Sequence, residues 1–140
     1  MTKPGDDSAN GGRERREPTF HRDGAHTNVR LEELLLWIGN HLVRTTSTKT
    51  VETAQVGRLA WAVELAVYAT NGTIITGSRY ERRKNGSVGP VNAGAAVASL
   101  TRRGRAKGLG ELRWQPLIAE NRTVFDPADA AAIERALTEA

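Results

Sequence analysis

The apolar residues after residue 28 recur with a helical period and predict a first helix. It begins near Val29, with Asn28 as its capping residue. The acids Glu32 and Glu33 fall in the first turn, where the helix dipole favours negative charge. The apolar stripe, with spacings of i, i+3, i+4 and i+7, consists of Leu31, Leu34, Leu35, Ile38 and Leu42.

A second and more apolar helix is predicted from about Val51 to Thr70, with Thr50 as its cap. Asn71 and Gly72 then form a usual stop signal, since glycine readily adopts the left-handed conformation that ends helices. We expect a helix this apolar to lie centrally in the fold. Its predicted core face consists of Val56, Leu59, Ala60, Val63 and Val67, widened by Trp61, Leu65 and Tyr68.

Two shorter helices and a hairpin are predicted in the rest of the chain. Pro90 suits the first position of a helix from about Val91 to Arg103. The segments 112–118 and 123–125 predict the two strands of a hairpin. Earlier in the chain, the β-branched segment 73–75 predicts either a brief strand or an extended connector.

The last helix has the clearest start signal in the chain. Asp126 is the expected cap, Pro127 the first helical residue and Asp129 the acid of a reciprocal capping box. The predicted fold is therefore α+β and mostly α, with four to five helices and one small C-terminal β-hairpin. Residues 1–28 are polar and predict a disordered tail, which leaves 29–140 as a single domain.

Composition narrows the class of protein. The chain has 140 residues and no cysteine, so disulfides and thiolate metal sites are excluded. No apolar run approaches the roughly 20 residues that span a bilayer, and the N-terminus lacks an apolar signal core. We therefore expect a cytoplasmic protein with no membrane partner.

The charge is unevenly distributed along a chain whose formal net charge is +4. The stretch 79–107 is strongly basic, whereas the last helix is acidic, and such a field can steer an acidic protein or a nucleic acid. The alternative is that these cations only solvate two loops. The candidate nucleic-acid contacts are Arg102, Arg103, Arg105 and Lys107, beside the predicted hairpin as in a winged-helix DNA binder.

Residues for catalysis or metal binding are not grouped in this sequence. Glu64 has no second carboxylate, nucleophile or histidine placed to work with it, so no catalytic residue is assigned and no enzyme is expected. His21 and His26 lie in the tail, and His41 lies in the first helix beside its apolar face. We expect no metal, no cofactor and no small-molecule substrate.

The most informative pattern begins inside the second helix. Glu64 is followed four residues later by Tyr68 and after four more by Gly72. The segment 75–80 then reads Ile-Thr-Gly-Ser-Arg-Tyr, and 89–91 reads Gly-Pro-Val. In order and spacing these motifs resemble the Panacea domain, the SocA-like antitoxin family of bacteria and their phages. The resemblance covers about residue 31 to the C-terminus.

The chain departs from the family pattern at several positions. Glu64 stands where the family usually has aspartate, and Arg58 is the nearest counterpart of a usual lysine. Residues 84–87 are additional, and 102–110 are more basic than the family pattern. These departures put the details of any partner contact in doubt more than the fold.

The resemblance implies an antitoxin of a type II toxin–antitoxin system, which neutralises a cognate toxin by direct protein binding. The partner-binding candidates are Thr76, Arg79, Tyr80, Arg82 and Arg83, and the residues assigned to the structural motif are Glu64, Tyr68, Gly72, Gly77, Gly89 and Pro90. The rival hypothesis is a regulator that binds promoter DNA through 79–107, and the two roles can coexist. A phage or scaffold interaction protein that reuses the fold is a third.

Two residues of the motif have open roles. A buried Glu64 needs a partner, which Arg58, Arg79 or the N–H groups of the Thr76-Gly77 turn could supply. Tyr80 is expected either to be presented to a partner or to pack beneath the loop.

Overall fold

The computed structural model describes residues 28–110 and 112–140. Its helices are α1 (Val29–Thr46), α2 (Thr53–Asn71), α3 (Ala93–Arg102) and α4 (Pro127–Glu139). Its strands are β1 (Val51–Glu52), β2 (Tyr80–Arg82), β3 (Val88–Pro90), β4 (Ala106–Gly108) and β5 (Arg113–Pro116), and a 3₁₀ turn spans Arg122–Val124. The predicted α+β, mostly α fold is confirmed. Of the predicted disordered tail 1–28, all but Asn28 lies outside the described residues.

Helix α1 is enclosed by the rest of the fold. Its cap is the predicted one, since Asn28 Oδ1 accepts from the N–H groups of Arg30 at 3.0 Å and Leu31 at 3.3 Å. Every residue from 31 to 39 is buried, because α2, α3, β5 and the 3₁₀ turn pack around the helix. The sequence pattern predicted a one-sided apolar stripe for α1 and a central position for α2. The structure shows the opposite, because α1 is the more enclosed of the two helices.

Helix α2 buries only one face. Val56, Ala60, Val63 and Val67 recur on that face and belong to the core. Leu65 and Tyr68, which were expected to widen the core face, are 50% and 57% exposed. That prediction is wrong because α1, α3 and α4 approach α2 from one side only, and apolar character alone does not reveal where neighbours pack.

A three-stranded antiparallel sheet with the order β1-β5-β4 closes one side of α1. The predicted strand at 112–118 exists as β5, but its partner is not 123–125. Thr123 lies in the 3₁₀ turn, where its N–H donates to Asn121 Oδ1 at 3.0 Å. Because the Asn121 side chain closes this turn locally, β5 forms its hairpin with β4, which precedes it in the chain.

A second hairpin, β2–β3, was not predicted. Its three-residue strands pair Tyr80 with Pro90 and Arg82 with Val88, and a turn at Asn85-Gly86 joins them. Pro90 therefore ends a strand and does not begin α3, which starts at Ala93. Residues 73–75 form no strand and act as a connector between α2 and this hairpin.

Helix α4 begins as predicted, with Pro127 after Asp126, but the predicted capping box does not form. Asp129 is buried, and its Oδ1 accepts a hydrogen bond from Asn71 Nδ2 at 2.9 Å. The acid that was assigned to the cap therefore joins α4 to the end of α2. None of the helices in 28–110 and 112–140 has the length and apolar character that crossing a bilayer requires.

Gly39 in α1 makes room for Trp114 of β5. The indole is fully buried, and a Cβ added to Gly39 would lie 2.7 Å from its Cη2 atom. Such a contact forces either the ring or the helix to move. Close packing of α1 on the sheet therefore depends on the missing side chain.

We expect Gly39→Ala to lower the free energy of unfolding by about 1–3 kcal/mol, the usual cost of overpacking a core. The loss occurs although alanine favours helix over glycine by about 1 kcal/mol. Urea denaturation followed by circular dichroism measures it. Gly94→Ala in α3 is the matched control, because a Cβ there meets no atom within 4 Å. Equal stability changes in the two variants would contradict the packing argument.

Candidate functional site

The carboxylate of Glu64 organises the segment that carries the motif. Glu64 lies on α2 and is 8% exposed. Its Oε2 accepts from the hydroxyl of Tyr80 at 2.8 Å and from the hydroxyl of Thr76. Since a buried carboxylate is costly without hydrogen-bond donors, these two hydroxyls hold the loop after α2 against the helix.

The Thr76-Gly77 turn extends this network to α1. Thr76 is fully buried, and its hydroxyl also accepts from the N–H of Ser78 at 3.1 Å. Its carbonyl accepts from Nδ2 of Asn28, the residue whose Oδ1 caps α1. Gly77 adopts φ 70°, a conformation that favours glycine. One loop thus connects the start of α1 to the middle of α2.

The partners that the sequence suggested for Glu64 are not the ones found. Arg58 is exposed, and Arg79 pairs with Glu81 at 3.2 Å. Within 28–110 and 112–140 the donors are two hydroxyls, and neither an arginine nor a turn N–H bonds the carboxylate. The sequence placed the acid in the core but could not select its donors.

Tyr80 packs beneath the loop and also lines an open pocket. Its ring lies 5.1 Å from the Trp61 ring, tilted by 41°. Burial raises the pKa of the Tyr80 hydroxyl, and the nearby charge of Glu64 raises it further. The phenol therefore stays protonated and donates to Glu64 across the physiological pH range. Tyr80 therefore packs beneath the loop, as one of the two expectations had it, and its place in the pocket wall is compatible with the other, contact with a partner.

The Tyr68 pocket is an open apolar depression of about 280 Å³ between α2 and the following loop. Leu65, Tyr68 and Ile74 are 50%, 57% and 63% exposed, which is unusual for three large apolar side chains in one place. The lining residues are Trp61, Glu64, Leu65, Tyr68, Thr73, Ile74, Ser78 and Tyr80. The sequence pattern indicated Trp61 and Leu65 as core residues, but Trp61 is only half-buried and Leu65 is exposed, so both were missed as pocket residues, as was Ile74.

The basic hairpin, defined by the cations Arg79, Arg82, Arg83 and Lys84 on β2 and its turn, begins at the edge of this pocket. Two glycines, one in the hairpin and one in α2, permit close packing. A Cβ on Gly89 would lie 2.9 Å from Nη2 of Arg83, and one on Gly57 of α2 would lie 3.2 Å from Cδ of Pro90. The Gly-Pro step therefore holds the hairpin against α2. Gly72 has a different task, since it ends α2 at φ 70°.

Two of the four candidate nucleic-acid contacts are engaged inside the protein. Arg103 lies 2.9 Å from Glu32, and Arg105 lies 2.7 Å from Glu33. Both acids are at most 2% exposed, and Glu33 also accepts from the N–H of Asn121 at 2.7 Å. Burial raises the pKa of Glu32, although hydrogen bonding from Ser99 and the charge of Arg103 oppose the rise.

These acids were assigned to the helix dipole, and their ion pairs were not foreseen. The sequence did contain a sign that Glu32 and Glu33 would be buried. Leu31 and Leu34 flank the two acids, and α1 has no exposed face between residues 31 and 39. Arg102 and Lys107 are exposed and form no ion pair within the described part of the chain. The structure thus separates the four cations into two that pair with buried acids and two that form no ion pair in the described part of the chain.

A second depression of about 480 Å³ lies at the other end of α1, beside the segment after β5. Asn40 Nδ2 donates to Glu120 at 2.9 Å, and Arg122 Nε donates to the same carboxylate at 2.7 Å. Burial alone would raise the pKa of Glu120, but these hydrogen bonds outweigh it and lower the pKa. Asn40, Glu120 and Arg122 are thus hydrogen-bonded to one another, and they are less available to a partner than the exposed apolar side chains of the Tyr68 pocket.

No group of three or more metal-ligating side chains occurs among the described residues, which exclude His21 and His26. Comparison of the chain with family models, curated proteins and solved structures found no match. The resemblance to the Panacea domain therefore rests on the motif residues themselves and remains a prediction.

Replacing Tyr80 with Phe keeps the ring against Trp61 but removes the donor to Glu64. Hydrogen bonds to charged groups contribute about 1.5–3 kcal/mol, so we expect Tyr80→Phe to lower the free energy of unfolding by about 1.5 kcal/mol. We expect a loss at the lower end of this range because Thr76 still donates to the Glu64 carboxylate in the variant. Urea denaturation monitored by circular dichroism provides the measurement.

Tyr68→Phe is the matched control for Tyr80→Phe. The Tyr68 ring is largely exposed, and its hydroxyl bonds no residue of the described chain, so the change should stay within about 0.5 kcal/mol. If both variants lose the same stability, the Glu64 network does not hold the loop.

Removing the Arg105 side chain leaves the Glu33 carboxylate buried beside a weaker, more distant cation, since Arg103 lies 3.7 Å away. Breaking a buried ion pair costs about 3 kcal/mol, and we expect a loss of that order in Arg105→Ala. Arg102→Ala removes an exposed arginine three positions away and should change stability by less than about 0.5 kcal/mol. Thermal or urea unfolding of the two variants separates a structural arginine from a surface one.

Proposed function

We propose that this chain is a cytoplasmic antitoxin of the Panacea type, which neutralises a cognate toxin by stoichiometric protein–protein binding. The observation that carries the proposal is the position of the exposed apolar side chains. Leu65, Tyr68 and Ile74 surround a pocket within the Glu64–Tyr80 motif that carries the family resemblance. Aromatic side chains on an open surface are typical of protein interfaces.

The preorganised loop supports binding by the same region. Because Glu64 holds Thr76 and Tyr80, one wall of the pocket is fixed before a partner arrives. A fixed surface loses little conformational entropy when it binds, which favours affinity. Among the partner-binding candidates, Thr76 is buried and therefore supports the site, whereas Arg79 and Arg82 are exposed and available for contact.

The pocket does not favour an enzyme. Glu64 is its one carboxylate, and the groups within hydrogen-bond distance of it are the two hydroxyls that hold the loop. The lining contains no histidine to accept or donate a proton near neutral pH.

The alternative function, DNA binding by a winged-helix-like regulator, has less support. Arg103 and Arg105 would have to leave buried carboxylates in order to contact phosphate. Arg102 and Lys107 remain, together with the basic hairpin. Binding of promoter DNA would then rest on few cations and would weaken steeply with salt.

The test is a co-expression rescue. A reading frame adjacent to this one is induced alone and then together with this chain, and growth is followed. We expect growth to stop in the first case and to recover in the second, and the two purified proteins to co-elute at a fixed ratio in size-exclusion chromatography with light scattering. Toxicity without rescue, or rescue without a complex, would overturn neutralisation by binding.

A charge variant separates this function from DNA binding. Arg102→Gln with Lys107→Gln removes two exposed cations and keeps the Arg103–Glu32 and Arg105–Glu33 ion pairs. We expect this variant to rescue growth as the wild type does. Loss of rescue together with loss of promoter binding in a salt-titrated shift assay would favour the regulator instead. Reversing Arg103 or Arg105 would be uninformative, because either change places like charges in the core.

A further inference from the structure

The Tyr68 pocket has the dimensions of a site for one large side chain. Its volume is about 280 Å³, and its exposed lining is mainly apolar and aromatic, with the tilted ring pair of Trp61 and Tyr80 along one side. Interfaces place their strongest contacts where an aromatic or aliphatic side chain fills such a depression. The pocket therefore suits a single apolar anchor and not an extended hydrophobic face.

The basic hairpin places uncompensated positive charge beside that anchor site. Tyr80 and Arg82 are two residues apart on β2, so their side chains lie on the same face of the hairpin, about 7 Å apart along the strand. Arg79 lies on the opposite face and pairs with Glu81. Within the described residues Arg82, Arg83 and Lys84 have no acidic partner. Arg82 Nη1 donates to the carbonyl oxygen of Gly86 at 2.8 Å, a neutral acceptor that leaves the positive charge in place. A ligand that fills the pocket therefore meets positive charge from Arg82 and from the adjacent turn.

We propose that the pocket and the hairpin together bind an acidic segment of the partner protein, with one aromatic or leucine anchor and Asp or Glu two to four positions away from it. This inference rests on the proposed function, since it specifies the toxin's contact. The anchor desolvates Trp61 and Tyr68, and the acids pair with Arg82 and Lys84. Charge complementarity of this kind selects partners and speeds association.

Two other occupants match the charge of the hairpin less well. The chain's own residues 13–23 contain Phe20 with Glu17 and Asp23 nearby, but their four arginines outnumber their three acids, so the segment has no net negative charge. A second copy of the chain would bring an acidic last helix, but also a basic hairpin and a net charge of the same sign. A separate acidic partner is therefore the better match.

A library of random 12-residue peptides displayed on phage and selected against the full chain tests the inference. We expect the enriched sequences to share one Phe, Trp or Leu with acids two to four positions away. A synthetic peptide of the enriched sequence should bind more weakly as salt rises, because the ion pairs are exposed to solvent. Enrichment of neutral or basic sequences, or no enrichment, would overturn the proposal.

Two matched pairs of variants locate the binding. Ile74→Asp places a charge in the pocket and should weaken the selected peptide at least tenfold, whereas Leu112→Asp alters an equally exposed residue outside it and should not. Arg82→Gln with Lys84→Gln should weaken binding and flatten its salt dependence, whereas Arg102→Gln with Lys107→Gln should leave both unchanged. Circular dichroism confirms that each variant is folded.

Further outcomes distinguish the competing occupants. Tighter peptide binding by Phe20→Ala would mean that residues 13–23 fill the pocket. A dimer that dissociates in Ile74→Asp would mean that a second copy of the chain fills it. Either result overturns the proposal. The rescue assay distinguishes a failure of the proposed binding site from a failure of the proposed antitoxin function. If the wild type and Ile74→Asp rescue growth equally, the toxin binds elsewhere although the antitoxin function stands. If the wild type fails to rescue, the function falls and the peptide data alone decide the site.

Discussion

The rest of the structure depends on one buried carboxylate and the two hydroxyls that satisfy it. Glu64 lies on a helix whose other inward residues are apolar, and Thr76 and Tyr80 donate to it from a loop that follows the helix. Without these donors the charge would be unpaired in the core, so the loop has one favourable position. Asn28 joins the same network and thereby links the cap of α1 to the pocket wall.

The fold uses its charges in two ways, although the sequence shows them as one basic stretch. Arg103 and Arg105 neutralise Glu32 and Glu33 inside the fold, and they join α1 to the end of α3 and to the segment before β4. Arg82 and Lys84 lie on a hairpin with no such acid nearby. Electrostatic attraction of a partner is therefore concentrated at the hairpin, beside the Tyr68 pocket, whose lining combines exposed aromatic side chains with a fixed loop.

Much of the fold followed from local signals. Asn28, Gly72 and the Asp126-Pro127 pair marked helix ends correctly, because caps and stops depend on the backbone of neighbouring residues. The hairpins did not follow, because strand pairing joins distant residues. The segment 123–125 resembled a strand, yet the Asn121 side chain closed it as a 3₁₀ turn. The three-residue strands β2 and β3 are too short for a periodic signal.

The sequence by itself determined the helices, the apolar positions that build their shared core, the basic middle of the chain and the motif around Glu64. Only the tertiary structure decided which of these groups meet. It selected hydroxyls over arginines as partners of Glu64, buried Glu32 and Glu33 against two arginines, and left Leu65 and Tyr68 at the surface. The reason is that sequence periodicity reports how a segment coils, whereas burial and ion pairing depend on which other segments pack against each face.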